Sequence, residues 1–273
     1  MRTNLFKMET VLLCGLLFGA ENMLLGQASP QPKELPYIGG ESLTYVLSYT
    51  WGGVNTDVGE GTAKLNYSDG YYNPVVTGRT YKFYDLFFKV REHLESTFSA
   101  TTMRPLSFYR MSEEGKYKVM NRYAFDNEKG VINVTVSKRN RPANDTVLTM
   151  TPSTYDLITL FYISRAMDFS TLEKGVKHPI VFAIDKKVYN LYFIYHGKEV
   201  KKIKGLGTFN TMKFSASLVA GEIFTGKDEI YIWVSDDKNI IPLLFESKVL
   251  VGTVTGKLKS WENLKYPLEC KIK

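Results

Sequence analysis

Residues 42–51 read SLTYVLSYTW. Leu43, Tyr45, Leu47, Tyr49 and Trp51 alternate with Ser42, Thr44, Ser48 and Thr50, and only Val46 interrupts the pattern. A period of two sends successive side chains to opposite faces, so the stretch predicts a half-buried antiparallel strand. Trp51-Gly52-Gly53 ends it, and the next strand carries Gly59, Gly61 and Ala63 on one face. Such small side chains permit tight curvature or the close approach of another element.

The same reading extends along the chain. Further strands are expected at 71–82, 89–99, 105–111, 117–125, 131–137 and 146–150, then near 178–184, 188–196, 199–204, 208–217, 229–234, 240–247, 249–257 and 266–272. Turn signals separate most of the earlier ones: Ser68-Asp69-Gly70, Glu113-Glu114-Gly115, Asn127 to Gly130 and Arg141 to Asn144. Short strands joined by hairpin turns predict a mainly β fold, a curved antiparallel sheet or half-barrel in a single domain.

One segment breaks the pattern. From Ser153 to Asp168 the run Leu157, Ile158, Leu160, Phe161, Tyr162, Ile163 leaves only Thr159 polar. A helix apolar on nearly every side is buried. Ser153 and Asp156 make a capping-box-like pair at its start. About sixteen residues would span roughly 24 Å, and such a helix would plug the concave face of the sheet.

The 273 residues are 44% hydrophobic and 23% charged, which excludes a disordered chain. Arg2 and Lys7 precede an apolar run from Val11 to Ala20, and Gly26-Gln27-Ala28 offers small residues for signal peptidase. Residues 1–28 therefore read as a cleaved signal peptide directing export to the periplasm or outer envelope of a bacterium. Glu21 and Asn22 keep the run short of the roughly 20 apolar residues of a spanning helix, so the processed chain is not expected to cross a membrane. Leu13 before Cys14 disfavours lipidation. Residues 29–40 (SPQPKELPYIGG from Ser29) read as a linker or an extended approach to a sheet edge, and 41–273 as one β-rich domain. The leader holds two basic and two acidic residues, so the net charge of +7 stays with the processed chain, which keeps Cys270 alone and has no internal disulfide.

No phosphate loop, dinucleotide fingerprint, nucleophile elbow or zinc motif occurs, so no cofactor, metal or catalytic set is assigned. His93, His178 and His196 have no metal spacing. Ser235-Asp236-Asp237, continuing to Asn239, sits between two strong strands and reads as a structural turn. Arg165 follows the apolar run of the buried helix. Its guanidinium snorkels out, pairs with an inward carboxylate, or meets an anionic ligand. With Phe161 and Tyr162 it forms the candidate ligand-binding set. Lys198, Lys201, Lys202 and Lys204 cluster around one expected turn, and Lys138, Arg139 and Arg141 around another. They read as solvated turns or as contacts to an anionic surface such as lipid headgroups. No nucleic-acid recognition element is present.

Several segments resemble the bacterial exported proteins grouped as domain of unknown function 3108. They are Gly40 to Tyr45, Thr80 to Phe108, DLITLFYISR at 156–165, and 230–258 with Trp233, Ser235-Asp236-Asp237, Pro242 and Gly252 in order. The resemblance implies export and a mostly antiparallel β fold, without an established activity. By looser analogy, a curved sheet enclosing a helix is similar to periplasmic carriers of lipoproteins or lipids, although fold alone does not establish function. Three functions follow as expectations. The first is a non-catalytic binder of an apolar or amphipathic ligand, such as a lipid or lipoprotein acyl chain. The second is a structural or interaction module of the envelope, and the third an envelope glycan hydrolase.

Overall fold

A computed structural model of the chain describes residues 34–138, 142–217, 229–249 and 251–272. The expected leader with Cys14, and the basic residues Arg139 and Arg141, lie outside the described residues. The strands of the first half are β1 (Ser42–Trp51), β2 (Val54–Ser68), β3 (Tyr71–Thr80), β4 (Val90–Ser99), β5 (Pro105–Glu114), β6 (Tyr117–Asp126), β7 (Val131–Lys138) and β8 (Asn144–Thr149). Those of the second are β9 (Thr154–Tyr155), β10 (Lys177–Ile184), β11 (Lys187–Ile203), β12 (Gly207–Ser217), β13 (Glu229–Ser235), β14 (Pro242–Lys248) and β15 (Thr253–Glu262). Among the described residues two α-helices interrupt them, α1 (Lys82–Asp85) and α2 (Leu157–Arg165), with a 3-10 turn at Phe169–Thr171.

All fifteen strands belong to one open sheet. From β1 the order runs through β2 to β8 at one edge, and through β15 and β14 down to β9 at the other. Neighbours are antiparallel except β9, which pairs parallel with β10. The edges are close in space because the chain passes from one to the other between Thr149 and Thr154. Five residue steps reach at most about 18 Å. Lys186 Nζ, in the β10–β11 turn, donates to Asn144 Oδ1 of edge strand β8, and further in Arg110 Nη1 of β5 lies 3.4 Å from Asp185 Oδ1 of the same turn. The sheet is thus curled almost round without closing into a barrel, and α2 packs on β4 and β10.

The mainly β expectation holds, with corrections in detail. The helix is nine residues long rather than sixteen, about 14 Å. Ser153 does not cap it: Thr154 and Tyr155 stay extended, paired with Val181 and Phe182. Asp156 is the N-cap, its carboxylate accepting from the Ile158 and Thr159 amides. Strand β1 is buried on both faces through Val46 and Ser48, while Trp51 projects beyond the core and is exposed. The two strands expected at 188–196 and 199–204 are one, β11, with a bulge at Tyr195/Gly197 where Gly197 has φ +103°. Lys198, Lys201 and Lys202 therefore lie along a strand and not around a turn. Residues 266–272 do not form a strand: Pro267 has no amide to donate, and only Lys271 bridges to Phe209. Within the stretch read as linker, Leu35 packs on the core and Tyr37 is buried.

Two of the small residues have a clear purpose. A β-bulge between Leu47 and Ser48 leaves Val58 unpaired with β1, and beside it Gly59 brings β2 against β3. A Cβ at Gly59 would stand 2.5 Å from the Arg79 carbonyl oxygen. Gly256 faces Phe245 across the β14–β15 pair, and the phenyl ring occupies the space of the missing side chain.

Candidate functional site

The register collects several turns at one end of the strands. Trp51 pairs with Val54, Lys248 with Thr253, Gly59 with Thr80, and Val90 with Glu114. The β1–β2 and β14–β15 turns, the 81–89 connection and the β5–β6 turn therefore emerge together as one rim. The β2 bulge supports this arrangement, because the Val58 carbonyl accepts the Tyr81 amide at 3.0 Å and starts α1 there.

Under the rim lies an apolar cavity of about 250 Å³. Leu47 and Tyr49 of β1, Val58 of β2, Phe87 and Phe88 after α1, and Val254 of β15 form its walls. The polar groups around it are paired with one another. The Thr56 and Tyr84 hydroxyls share a hydrogen bond, Ser48 donates to Asp57 at 2.6 Å, and Tyr49 donates to the Val251 carbonyl at 2.5 Å. Thr80 donates to Asp85 at 2.5 Å, and Asp85 holds Arg91 in a two-pronged pair at 2.9 and 2.5 Å. That Arg91 pair, with help from Thr80, lowers the Asp85 pKa to about 2 despite some burial. With its polar atoms so occupied, the cavity offers hydrocarbon contact. It presents no free acid, base or nucleophile along these walls.

The candidate residues of the sequence reading lie elsewhere. Arg165 Nη1 and Nη2 donate to Glu41 Oε1 and Oε2 at 2.5 and 2.8 Å, and Nε and Nη2 to the Asn239 carbonyl at 3.3 and 3.0 Å. Of the three fates open to this guanidinium, the structure realises pairing with an inward carboxylate. Burial works against its charge, but Glu41 more than offsets that and holds its pKa above the usual guanidinium range. Phe161 and Tyr162 pack beside it with Tyr37, whose ring lies 5.1 Å from that of Tyr162 and 5.2 Å from the guanidinium carbon. The Tyr37 and Tyr162 hydroxyls are buried without a hydrogen-bond partner in the structure. None of Arg165, Phe161 and Tyr162 lines the rim cavity.

Ser235, Asp236 and Asp237 form the turn the sequence indicates. Asp237 accepts from the Ser235 hydroxyl at 2.9 Å and the Asn239 amide at 3.0 Å, while Asp236 pairs with Lys198 at 2.8 Å. The histidines stand apart. His93 on β4 contacts Glu95, His178 stacks on Phe193, and His196 bonds Ser215. Among the described residues no group of His, Cys, Asp and Glu is arranged to hold a metal ion, and no helix is long and apolar enough to cross a membrane. A second recess, of about 630 Å³, crosses β2 to β7 and is lined by Asn66, Asn73, Thr97, Ser107 and Arg122 among others, with Glu95 as its one carboxylate.

None of the candidate ligand-binding residues Phe161, Tyr162 and Arg165 lies on the rim. Its signal is the run Phe83-Tyr84-Asp85-Leu86-Phe87-Phe88, an apolar-rich connection where turn chemistry would be polar.

A crystal structure of a β-barrel-like protein of domain of unknown function DUF1849 from Brucella abortus has a TM-score of 0.59 at 11% identity, over 85% of this chain and all of that one. That likeness is one of fold. The lipoprotein LppX of Mycobacterium tuberculosis aligns at 11% identity over 89% of this chain and 94% of that one, with a TM-score of only 0.25. No curated protein sequence matches. Residues 44–259 match the family described as protein of unknown function, DUF3108, and the chain belongs to that family.

Proposed function

We propose that the protein is an exported, non-catalytic envelope binder that holds the hydrocarbon end of an amphipathic ligand, a lipid or lipoprotein acyl chain, in the rim cavity. The observation that supports this reading is the cavity itself: about 250 Å³, walled by Leu47, Val58, Phe87, Phe88 and Val254. A recess with such walls offers an apolar guest hydrocarbon contact in exchange for water. Being smaller than the roughly 300–1,000 Å³ of sites that enclose whole ligands, it suits a chain end whose polar head remains outside. Each methylene moved in from water contributes about 0.8 kcal/mol.

Native mass spectrometry of freshly purified protein, with solvent extraction of whatever is bound, tests this directly. A fluorescent fatty acid serves as the titrating probe. The wild type is expected to carry an extractable lipid and to bind the probe, and Val58→Trp, which fills the cavity, to do neither. A clean apo mass together with equal probe binding by both proteins would overturn the reading.

A further inference from the structure

The rim exposes apolar side chains at the cavity mouth and beyond it. Phe83 and Leu86 are 63% and 80% exposed, Phe87 at the cavity mouth is 76%, and Trp51 on the adjoining turn is 65%. The Phe83 and Phe87 rings lie 5.7 Å apart, and large apolar side chains exposed at one end of a sheet mark an interaction site. Beside them lies a basic recess of about 420 Å³ lined by Lys116, Lys118 and Lys138. The two are joined through Lys89, which follows Phe88 directly: its carbonyl accepts the Gly115 amide at 2.8 Å, and its ammonium pairs with Glu113 at 2.7 Å. Glu113 is thereby neutralised, and the three lysines leave the recess positively charged.

We propose that this rim docks on the surface of an anionic phospholipid bilayer. Trp51, Phe83 and Leu86 enter the interfacial layer, and Lys116, Lys118 and Lys138 meet the lipid phosphates. The combination fits a membrane better than a protein partner. Aromatic and aliphatic tips on separate turns share one end of the sheet with flanking ammonium groups, and this matches a planar surface that is apolar within and anionic outside. The proposal deepens the function proposed above by placing the cavity mouth at the source of its ligand, since Phe87 belongs to both.

The test is co-sedimentation of the full chain with phosphatidylcholine vesicles with and without phosphatidylglycerol. The triple variant Trp51→Ser/Phe83→Ser/Leu86→Ser is expected to lose about tenfold or more in partitioning. Lys116→Glu/Lys118→Glu/Lys138→Glu is expected to lose at least about tenfold on the anionic vesicles alone. These side chains are exposed or half-exposed, and unchanged urea midpoints would show that both variants fold. Wild-type partitioning by both folded variants would overturn the proposal, as would equal wild-type binding to the two kinds of vesicle. The cavity-filling Val58→Trp separates the two readings. Loss of bound ligand with vesicle binding intact supports both, whereas an apo wild type that still binds anionic vesicles through these residues removes the ligand and leaves the docking surface.

Discussion

Arg165 and Glu41, 124 positions apart, meet in a two-pronged ion pair at 2.5 and 2.8 Å, with neither residue more than 2% exposed. The contact ties the last turn of α2 to the residue that precedes β1, and through the Asn239 carbonyl to the β13–β14 turn as well. One buried side chain thus fastens the plug to the middle of the sheet.

Breaking that pair from one side leaves a buried charge without its partner. Glu41→Leu or Arg165→Met is expected to cost about 3–5 kcal/mol. The double variant should recover a large part of the loss, because two apolar side chains need no counter-charge. Urea unfolding of the three variants measures this as a double-mutant cycle. Additive losses would show that the two residues do not act as a pair.

Much of this architecture is legible in the sequence, and the failures have physical causes. Period-two patterning found nearly all the strands because most of them, such as β4, β6 and β7, alternate buried and more exposed side chains. It misplaced Trp51, since alternation gives a direction and not the depth at which the core ends. It split β11 in two because a bulge at Gly197 looks like a turn when only the glycine and its lysines are visible. Arg165 was visible as a buried cation, but its partner lies so far away that only tertiary structure could choose among its fates. The cavity was missed for a similar reason, because its walls come from four separate stretches, on β1, on β2, between Thr80 and Phe88, and on β15. Only the apolar run at 83–88 announced it.

Acid should loosen the rim. The Arg91 pair depresses the Asp85 pKa to about 2, against about 3.9 for an ordinary aspartate. A depressed carboxylate contributes stability that is complete above the ordinary value and is lost as pH falls toward the folded-state value. Stability contributed by this group is therefore expected to decline between about pH 4 and pH 2, by about 1 kcal/mol for a partly exposed pair. Asp85→Asn should flatten that part of the profile and lower the midpoint at pH 7. Urea midpoints across this range check it, and an unchanged slope in the variant would exclude Asp85 as the source.

Gly256 should not tolerate a side chain while Phe245 is present. A Cβ there would fall 1.8 Å from the Phe245 ring, and the sheet on either side cannot yield without breaking its pairing to β1 and β14. Gly256→Ala is expected to destabilise by about 1–3 kcal/mol through overpacking. In a Phe245→Leu background the same change should cost much less. Thermal unfolding of the four proteins gives the coupling, and an equal cost in both backgrounds would place the strain elsewhere.

Cys270 reports on how the C-terminal segment is held. Burial, with Asp237 nearby, pushes its thiol pKa well up, so little thiolate is available in the folded protein. The segment around it depends on Asn239. Its side-chain Nδ2 donates to the Tyr266 and Pro267 carbonyls at 3.0 and 3.1 Å, and its side-chain Oδ1 accepts the Tyr266 amide at 3.1 Å. Asn239→Ala removes these three bonds, at about 0.5–1.5 kcal/mol each, and should let the segment open far more often than the whole fold does. In a Cys14→Ser background, where Cys270 is the remaining thiol, maleimide labelling in native buffer is expected to be slow. Asn239→Ala should speed it at least about tenfold, the factor that corresponds to 1.4 kcal/mol, while the far-ultraviolet circular dichroism stays that of a β sheet. Equal labelling rates in the two proteins would mean that the bridge from Phe209 to Lys271, and not the Asn239 turn, holds the segment in place.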